Sequence, residues 1–523
     1  MKGSGWSLAA FDLRLSSRDP FRSLIIGAIL GSCGLAGLFF KWPAERRVAL
    51  STSGIAALAL LLGLSYGTYI AAGADTYGYV SQADLWLKGS VIIPIPLASE
   101  AQWRDADWAL TPLGYRPALR DGFMVPVYPI GLPLTMAAMK GVIGEWGAYV
   151  ISPLCGALLV WLTYLLGRSL HRPETGLLAA IALAFSPVFL FYLMVPMSDV
   201  PVSAWWTAAI VLALTPQSKW RLLASGGVTA LALLTRPNLV VLVAPLAVLV
   251  VHGAESNATR IKRLLWWGIP AAAGALGVAA SNTALYGSPW QSGYGSLAAL
   301  YSPHYAWPNV VQFTTWLLRT QTPFIFLALL ARTWHARWCV AFAACVFACY
   351  VCYLPFDNWT YLRFLLPAIP MLVVAASETL VTFVRRHGLP NGVVLAAALI
   401  LACVGLWQGR AAFSIGSVEA RYRAAADVVR TLPADAVVVS NLHSGSIRSY
   451  ANRMTLRYEW LGANEYADAL RTLRGHGHQL YALLDGAEVA EFRNRYQGVA
   501  DLTWMDGLPL DVINGSVYLY AIP

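Results

Sequence analysis

The sequence predicts an all-α membrane domain with many transmembrane helices, followed by a small α/β domain. The chain of 523 residues is 58% hydrophobic and only 12% charged, whereas soluble domains carry roughly 25% charged residues. Many of its apolar runs are close to the ~20 residues that a helix needs to cross a bilayer. After residue 410 these runs shorten and charged residues become frequent, which indicates a domain outside the membrane.

The charge distribution favours a membrane protein and gives no support for a nucleic-acid partner. The formal net charge of +10 reflects Lys and Arg residues in short loops, such as 41–47 and 168–174, which the positive-inside rule places in the cytoplasm. No basic block with interleaved aromatic residues is present in the sequence. The seven cysteines lie in apolar segments without a CxxC pair or Cys/His ligand spacing, so we interpret them as packing residues.

A polar tail, residues 1–23, precedes the predicted membrane domain at 24–409. The tail is too long and too acidic for the first region of a signal peptide, so we expect it to remain on the mature protein. The membrane domain is predicted to contain about 11 to 13 transmembrane helices. Its apolar segments fall near residues 24–40, 49–71, 148–167, 176–193, 200–214, 222–236, 238–252, 264–284, 315–331, 338–354, 364–384 and 392–409.

The long loop at 72–147 is predicted to lie on the external side of the membrane. The basic loops alternate consistently only if the stretch 128–144 does not cross fully. This stretch is short, starts with two prolines and ends in glycines, so we expect an amphipathic or re-entrant helix. Twelve full crossings would also place the basic N-terminus outside. Either 24–40 does not span, or the N-terminal charge is overridden.

Residues 410–523 are predicted to form a small external α/β domain. The stretch "VEARYRAAADVVRTL" has apolar residues at helical spacing. Short apolar runs predict strands at 436–440, 479–485 and 517–522, with helical stretches between them near 463–474 and 486–496.

Asp75 is the first candidate functional residue, because it directly follows an apolar run. It opens an amphipathic stretch that carries Tyr79 on the same helical face. Asp75 is an N-cap, a reacting group, or both, since a helix N-terminus stabilises a carboxylate anion. A carboxylate at this place can orient an acceptor hydroxyl and receive its proton late in a reaction.

Three further charged residues lie where apolar helices meet or end. Asp199 lies in a very short turn between two hydrophobic helices, where it is equally a good helix start. Arg236, before a proline, interrupts two apolar helices and is expected either to face a cavity or an anion or to reach towards the membrane surface. Arg363 begins a helix close to Asp357, and anchoring at the membrane interface is its alternative role.

Two histidines complete the candidate set, and no metal or nucleotide motif is present. His304 lies in an aromatic-, Gly- and Ser-rich loop at 286–309, and His443 follows a predicted strand and opens a helix. The sequence contains no Walker lysine loop, GxGxxG loop or HExxH motif. We therefore expect no certain cofactor and assign no metal ligands; a divalent cation stays open as an alternative that the sequence does not indicate.

The order of five motifs resembles the GT-C superfamily of membrane glycosyltransferases, in particular the protein O-mannosyltransferase and aminoarabinose transferase branch. The motifs cover roughly residues 70–385. They are "GADTYGYVSQADLWLKG", "YPIGLPLTMAAMKGVIGE", "GLLAAIALAFSPVFLFYLMVPMSDVP", "GGVTALALLTRPNLVVL" and "YLRFLLPAIP". The C-terminal domain resembles the tail of uncharacterised bacterial members and not a known catalytic module.

This resemblance implies transfer of a sugar from a polyprenyl-phosphate carrier to an external acceptor. Our hypothesis is that the transfer inverts the anomeric carbon, with Arg236 and Arg363 stabilising the departing phosphate. By the resemblance, Asp75 is the base or acceptor-orienting acid. Asp199 matches a frequently acidic position in the second external turn, and Arg236 matches a position that is often Lys or Arg. The sequence departs from several members in carrying Thr76 after Asp75 where they have a second acid. The predicted catalytic residues are therefore Asp75 and Asp199, and the predicted substrate-binding residues are Arg236, Arg363, Tyr79, Tyr128, His304 and His443.

Two other classes of function remain open at this point. A transporter or flippase for lipid-linked sugars also needs arginines and broken helices, but it predicts an inverted repeat. A non-catalytic membrane scaffold predicts that Asp75, Asp199 and Arg236 are far apart. The partners we expect are the lipid bilayer, the lipid-linked sugar and an unknown acceptor, in a bacterial inner membrane with the active site facing outwards.

Overall fold

The computed structural model describes residues 7–10, 13–16, 44–170, 172–214, 218–498 and 500–523. The described part of the N-terminal tail forms the antiparallel strands β1 (Ser7–Ala10) and β2 (Leu13–Ser16). The apolar segment 24–40 lies outside the described residues, so its crossing of the membrane remains a prediction.

Sixteen helices build the region between residues 44 and 409 in the described part of the chain. They are α1 (Ala44–Tyr66), α2 (Asp75–Leu87), α3 (Ala106–Leu110), α4 (Gly131–Ile143), α5 (Gly147–Leu170), α6 (Pro173–Ala184), α7 (Pro187–Leu193), α8 (Asp199–Leu214), α9 (Lys219–Thr235), α10 (Val243–Val251), α11 (Asn257–Tyr286), α12 (Leu297–Leu300), α13 (Ala306–Gln321), α14 (Trp334–Val351), α15 (Ile369–Arg386) and α16 (Gly392–Gly409). Short 3-10 helices lie between them at Gly144–Trp146, Pro237–Leu242, Pro303–Tyr305, Pro323–Leu330 and Trp359–Ala368.

The predicted all-α membrane domain is confirmed, with fewer long helices than expected. Among the described residues, six helices are long and apolar enough to cross a membrane, or seven if α6 and α7, which are bent by 64° at their junction, form one span. The apolar helices Asp199–Leu214 and Pro237–Val251 are shorter. The sequence count was higher because it included short apolar runs, such as 200–214 and 238–252, as separate crossings.

Prolines explain where the apolar helices break. Pro187 begins α7 after the bend, and Pro237 begins a 3-10 helix immediately after α9. A proline lacks the backbone N–H that the preceding helix would need, and its ring disfavours a helical residue before it. Arg236 accordingly has φ −148° and ψ 85° and ends α9. These breaks bring polar side chains to helix ends instead of burying them in continuous helices.

The long loop at 72–147 has its own secondary structure. It contains α2, α3, α4 and a three-stranded antiparallel sheet with the strand order β3 (Ile93–Pro94), β5 (Phe123–Pro126), β4 (Tyr115–Pro117). Helix α4 has only 13 residues, fewer than the ~17 that a crossing needs. Its length therefore agrees with the amphipathic or re-entrant helix expected from 128–144.

A small α/β region with a five-stranded sheet is observed at the C-terminus, within the residues 410–523 that were predicted to form it. Its sheet has the order β7 (Met454–Leu456), β6 (Val437–Val439), β8 (Leu480–Asp485), β10 (Val517–Ala521), β9 (Asp511–Ile513). The first three strands are parallel, and β10 is antiparallel to both of its neighbours. The helices are α17 (Ile415–Val429), α18 (Ser444–Ser446), α19 (Ala463–Gly475) and α20 (Gly486–Tyr496), with 3-10 helices at Arg410–Ser414, Tyr458–Trp460 and Thr503–Met505 and a π-helix at Ile447–Ala451.

The C-terminal domain packs directly on the long loop. Backbone groups of the loop, which lack partners in regular secondary structure, find them in this domain. The contacts are the Arg457 N–H to the Ala109 carbonyl (2.7 Å), the Leu113 N–H to Ser444 Oγ (3.1 Å), the Arg448 guanidinium to the Leu110 carbonyl, and the stacked rings of Trp108 and Trp460 (4.4 Å). The two regions therefore form one continuous structure.

An ion pair between His478 and Glu100 makes this interface sensitive to pH. His478 Nε2 lies 2.8 Å from Glu100 Oε2, and Nδ1 lies 3.0 Å from the Asp435 carbonyl oxygen. Burial lowers the pKa of His478, but the Asp435 carbonyl and Glu100 together raise it above its ordinary value. A raised histidine pKa contributes stability that is complete below the unfolded pKa of ~6.5 and is lost as the pH rises through the folded value.

We therefore expect the thermal unfolding temperature to fall between pH 6 and pH 8, and His478→Gln to reduce this slope. The ion pair at the protein surface is worth about 0.2–1 kcal/mol, so the change should be a few degrees or less. Thermal unfolding of the detergent-solubilised protein across this pH range measures it. His476→Gln is the matched control, because the exposed His476 ring contacts only the Thr472 carbonyl of its own helix (2.9 Å). An unchanged slope in His478→Gln would contradict this assignment.

Candidate functional site

Asp75 lies at the start of α2, and its carboxylate contacts two side chains that are distant from it in the sequence. The N-cap position belongs to Ala74, and no side chain caps this helix, so the N-cap expectation for Asp75 is wrong. Instead, Asp75 Oδ1 accepts a hydrogen bond from the Tyr128 hydroxyl (2.7 Å), and Oδ2 pairs with Arg363 Nη1 (3.0 Å). The helix start and the guanidinium both favour the anion.

Asp199 and Arg236 form a buried ion pair at adjacent helix ends. Asp199 begins α8, Arg236 ends α9, and Arg236 Nη2 lies 2.7 Å from Asp199 Oδ1. The Asp199 side chain is 1% exposed and that of Arg236 is 13% exposed. Removing either partner would leave an uncompensated buried charge, which is strongly unfavourable. Each residue therefore fixes the other in position.

Tyr79 and Ser198 join the two ion pairs into one network. The Tyr79 hydroxyl donates to Ser198 Oγ (3.0 Å), which also accepts from Arg236 Nη2 (2.9 Å). The Tyr79 ring lies 4.4 Å from the ring of Tyr128, centroid to centroid. We call the group formed by Asp75, Asp199, Arg236, Arg363, Tyr79, Tyr128 and Ser198 the acid–arginine cluster. It contains every predicted site residue except the two histidines.

The structure does not bring His304 or His443 to the acid–arginine cluster. His304 is exposed in a 3-10 helix, and its backbone N–H donates to Ser302 Oγ (3.3 Å). His443 is fully buried in the C-terminal domain, 4.4 Å from the Tyr422 ring and 3.7 Å from Asp485 Oδ2. Burial lowers the pKa of His443 in spite of Asp485, which favours a neutral packing residue over a substrate ligand.

Two residues near the acid–arginine cluster were missed by the sequence analysis. Ser198 directly precedes Asp199 and was not singled out as a candidate, although its hydroxyl joins Tyr79 to Arg236. Tyr294 lies in the aromatic loop at 286–309, and its ring is 5.8 Å from that of Tyr128. Burial raises the pKa of Tyr294, and the nearby Tyr79 and Asp75 raise it further. The loop had been recognised by composition, but no spacing singled out this tyrosine.

Tyr128 keeps its proton at neutral pH and therefore acts as a hydrogen-bond donor to Asp75. Burial, followed by the charge of Asp75, raises the pKa of Tyr128 well above its ordinary value. A neutral hydroxyl beside a carboxylate makes a charge-assisted hydrogen bond. Tyr128 therefore orients Asp75 and does not compete with it for a proton.

Buried polar atoms in the acid–arginine cluster retain hydrogen-bonding capacity. Within the described residues, Arg236 Nη1, Arg363 Nε and Asp199 Oδ2 are buried and have no hydrogen-bond partner. Buried polar atoms in proteins nearly always have partners, and guanidinium groups bind phosphate oxygens through several parallel hydrogen bonds. The two arginines therefore have the chemistry required to bind an anionic group.

The described residues contain no set of side chains arranged as a metal site. Among them, no group of three or more His, Cys, Asp or Glu side chains is placed to hold an ion. Asp75 and Asp199 are each paired with an arginine instead. The guanidinium groups of Arg236 and Arg363 bring positive charge to the acid–arginine cluster.

Comparison with known proteins supports the architecture just described. A family model described as dolichyl-phosphate-mannose-protein mannosyltransferase matches residues 126–282. No curated protein matches the sequence.

The fold is similar to several solved structures at low sequence identity. ArnT from Cupriavidus metallidurans in the apo state is 13% identical with a TM-score of 0.51, over 89% of this chain and 97% of that one. The same protein bound to undecaprenyl phosphate is 12% identical with a TM-score of 0.51, over 92% and 98%. The apo oligosaccharyltransferase of Archaeoglobus fulgidus is 12% identical with a TM-score of 0.55, over 88% and 72%. The resemblance predicted from the sequence is thereby confirmed at the level of the fold, which this chain shares with ArnT and with the oligosaccharyltransferase.

Proposed function

We propose that this protein is an integral-membrane glycosyltransferase that moves a sugar from a polyprenyl-phosphate donor to an acceptor outside the cytoplasm. The observation that carries the proposal is the acid–arginine cluster, in which the Asp75–Arg363 and Asp199–Arg236 ion pairs are linked through Tyr79, Tyr128 and Ser198. ArnT from Cupriavidus metallidurans, which shares the fold, has been solved with undecaprenyl phosphate bound. A lipid phosphate supplies an anion for the arginines and an apolar chain for the bilayer.

Asp75 is the proposed base or acceptor-orienting group, and Asp199 holds Arg236. The Asp75 side chain is 34% exposed, whereas that of Asp199 is 1% exposed. A reacting carboxylate must reach the hydroxyl whose proton it accepts, and only Asp75 has that access. Asp199 instead supports Arg236 from within the protein, which differs from the sequence-based assignment of both acids as catalytic.

The proposed reaction is a single displacement with inversion at the anomeric carbon. The acceptor hydroxyl oxygen forms a bond to that carbon while the bond from the carbon to the phosphate oxygen breaks. The bonding electron pair leaves with the lipid phosphate, and the hydroxyl proton passes to Asp75. Arg236 and Arg363 stabilise the additional negative charge on the phosphate, because their positions are fixed before the reaction begins.

The charge pattern along α9 supports an outward-facing site. Lys219 and Arg221 lie at the first turn of α9, whereas Arg236 lies at its other end. Basic residues in short loops favour the cytoplasmic side, so the acid–arginine cluster faces the opposite side. We propose a bacterial inner-membrane location with the site and the C-terminal domain in the periplasm.

The clustering of the candidate residues also speaks against a non-catalytic scaffold. That alternative required Asp75, Asp199 and Arg236 to be far apart. In the structure, Tyr79 and Ser198 connect Asp199 and Arg236 to the rings and carboxylate around Asp75. A shared network of charged groups of this kind is typical of a site where chemistry takes place.

Reconstituted protein provides the direct test of this proposal. The purified chain is incorporated into lipid vesicles with undecaprenyl-phosphate sugars and a membrane extract as the source of acceptors. Mass spectrometry of surface glycans and glycolipids, from cells with and without the protein, identifies the product. We expect loss of one glycosylated species and accumulation of the lipid-linked donor. Identical glycan and glycolipid profiles, together with no turnover of any polyprenyl-phosphate sugar, would overturn the proposal.

Gly78 makes the contact between α2 and Tyr128 possible, so we expect Gly78→Ala to lower kcat by about tenfold or more. A Cβ at Gly78 would lie 2.0 Å from a ring carbon of Tyr128, so the ring would have to move away from Asp75. Small misplacements of catalytic groups cost about one to two orders of magnitude in rate. Turnover of an undecaprenyl-phosphate sugar by the purified variant measures the effect.

Gly141→Ala is the matched control, because Gly141 is also helical and a Cβ there would meet no atom within 4 Å. Tyr128→Phe removes the same hydrogen bond without a steric clash and should change kcat in the same direction. Wild-type kcat in both Gly78→Ala and Tyr128→Phe would contradict the role given to this hydrogen bond.

A further inference from the structure

The backbone that leads into Asp75 is held by a tyrosine of the C-terminal domain. Between the end of α1 and the start of α2, residues 67–74 form no helix or strand. The Ala71 N–H donates to the Tyr450 hydroxyl (2.7 Å), across 379 residues of sequence. Buried amides of an irregular segment need partners outside the segment. Ala71 is buried, and Tyr450 provides the partner for its amide four residues before Asp75.

Tyr450 is itself fixed by arginines of the C-terminal domain. Arg430 donates to the Tyr450 carbonyl from Nε (3.0 Å) and Nη2 (2.5 Å). The Arg423 guanidinium lies 4.8 Å from the centre of the Tyr450 ring, a distance typical of a cation–π contact. Asp427 pairs with both arginines at 3.0–3.1 Å. The hydroxyl that receives the Ala71 amide therefore has a defined position.

A second contact holds the first turns of α2 against the same domain. Gly445 lies so close to Tyr77 that a Cβ there would be 2.2 Å from the ring. Gly73, which has φ +55°, lies beside Tyr422, whose hydroxyl would be 3.6 Å from an added Cβ. Asp75 lies between Gly73 and Tyr77 in the chain. Its backbone is therefore bounded on both sides by residues of the C-terminal domain.

We propose that the C-terminal domain positions Asp75, with Tyr450 as the positioning residue. This inference rests on the proposed function, because Asp75 is the group that needs accurate placement. By this account the domain belongs to the catalytic unit, although none of its residues touches the reacting atoms. Tyr450 sets the start of α2 and thereby the distance of Asp75 from the anomeric carbon.

Tyr450→Phe tests the proposal, because it removes one hydroxyl and keeps the ring. We expect kcat for an undecaprenyl-phosphate sugar to fall roughly tenfold with KM within about twofold, since misplacement of a reacting group affects the chemical step. Amide hydrogen exchange across residues 71–80 should become faster in the same variant. Gly445→Ala, which displaces Tyr77 instead, should change kcat and exchange in the same direction.

Tyr481→Phe is the control, because Tyr481 donates only to Gln479 Oε1 (3.1 Å) on the sheet of the C-terminal domain. Wild-type kcat and wild-type exchange in Tyr450→Phe would overturn the proposal, and so would a raised KM with unchanged kcat. If the wild-type protein turned over no lipid-linked sugar, the proposed function would fail separately. Faster exchange at 71–80 in Tyr450→Phe alone would then still support the positioning role, and unchanged exchange would refute it.

Discussion

Replacing Asp75 by Asn is expected to lower sugar transfer by roughly 100- to 10,000-fold, the usual contribution of a general base. The amide has almost the same shape and can still accept a hydrogen bond from Tyr128, but it cannot take a proton from the acceptor hydroxyl. Arg363, which pairs with Asp75 at 3.0 Å, remains available to the donor phosphate. We therefore expect the loss to appear in kcat, with donor binding largely retained.

Initial rates with an undecaprenyl-phosphate sugar, together with binding of undecaprenyl phosphate by calorimetry, separate these two quantities. Asp121→Asn is the matched control, since Asp121 is an exposed acid in the same long loop. Both variants should elute from size exclusion like the wild type. Asp75→Asn with full transfer activity would remove Asp75 from the mechanism.

Arg236→Lys is expected to lower kcat/KM about 10- to 100-fold while the protein stays folded. A lysine keeps the positive charge beside Asp199, but it lacks the planar group that can hold Asp199 and a phosphate at once. In the structure Nη2 is occupied by Asp199 and Ser198, and Nη1 has no partner in the described chain. We infer that Nη1 donates a hydrogen bond to the phosphate of the substrate and that Arg236→Lys removes this bond.

Arg236→Ala should have a different outcome, namely destabilisation by about 3–5 kcal/mol, because the buried Asp199 loses its hydrogen-bonded ion-pair partner. Thermal unfolding and transfer rates of the two variants distinguish loss of binding from loss of folding. The double variant Asp199→Asn with Arg236→Gln should recover stability without recovering transfer. Arg221→Lys, at the opposite end of α9, is the control. Wild-type kcat/KM in Arg236→Lys would exclude Arg236 from donor binding.

The charged members of the acid–arginine cluster were predictable, because a charged side chain within or beside an apolar run is energetically unfavourable in a membrane. Asp199 and Arg236 interrupt apolar runs, and a charge at membrane level needs a partner or a function. Their pairing was not predictable, because it depends on which helix ends meet. Asp75 and Arg363 are 288 residues apart, and no local pattern records such a contact.

Where the sequence analysis failed, local signals competed with tertiary contacts. Aspartate is a residue type that favours the N-cap position, but the Asp75 carboxylate binds the side chains of Tyr128 and Arg363 instead. His443 follows a strand as many active-site residues do, yet the fold buries it against Tyr422. The sequence around a single histidine does not predict whether its side chain is buried in the fold or faces a binding site.

The fold class followed from hydrophobicity, whereas the exact helix lengths depended on packing. Strands β6, β8 and β10 lie where the apolar runs of the C-terminal domain predicted them. Strands β7 and β9 have three residues each, which are too few to show the alternation of apolar and polar residues that identifies a strand. The 3-10 segments at Pro237–Leu242 and Pro323–Leu330 could not be distinguished from apolar α-helices in the sequence. The same apolar residue types occur in both kinds of helix.

The two glycine contacts of α2 restrict how the protein can move. Gly78 admits the Tyr128 ring on one side of the helix, and the Tyr77 ring fits against Gly445 on the other. Rotation of α2 about its axis, or sliding along it, would drive both rings into backbone atoms. Any movement of α2 is therefore expected to carry the Tyr128 ring and the backbone around Gly445 with it.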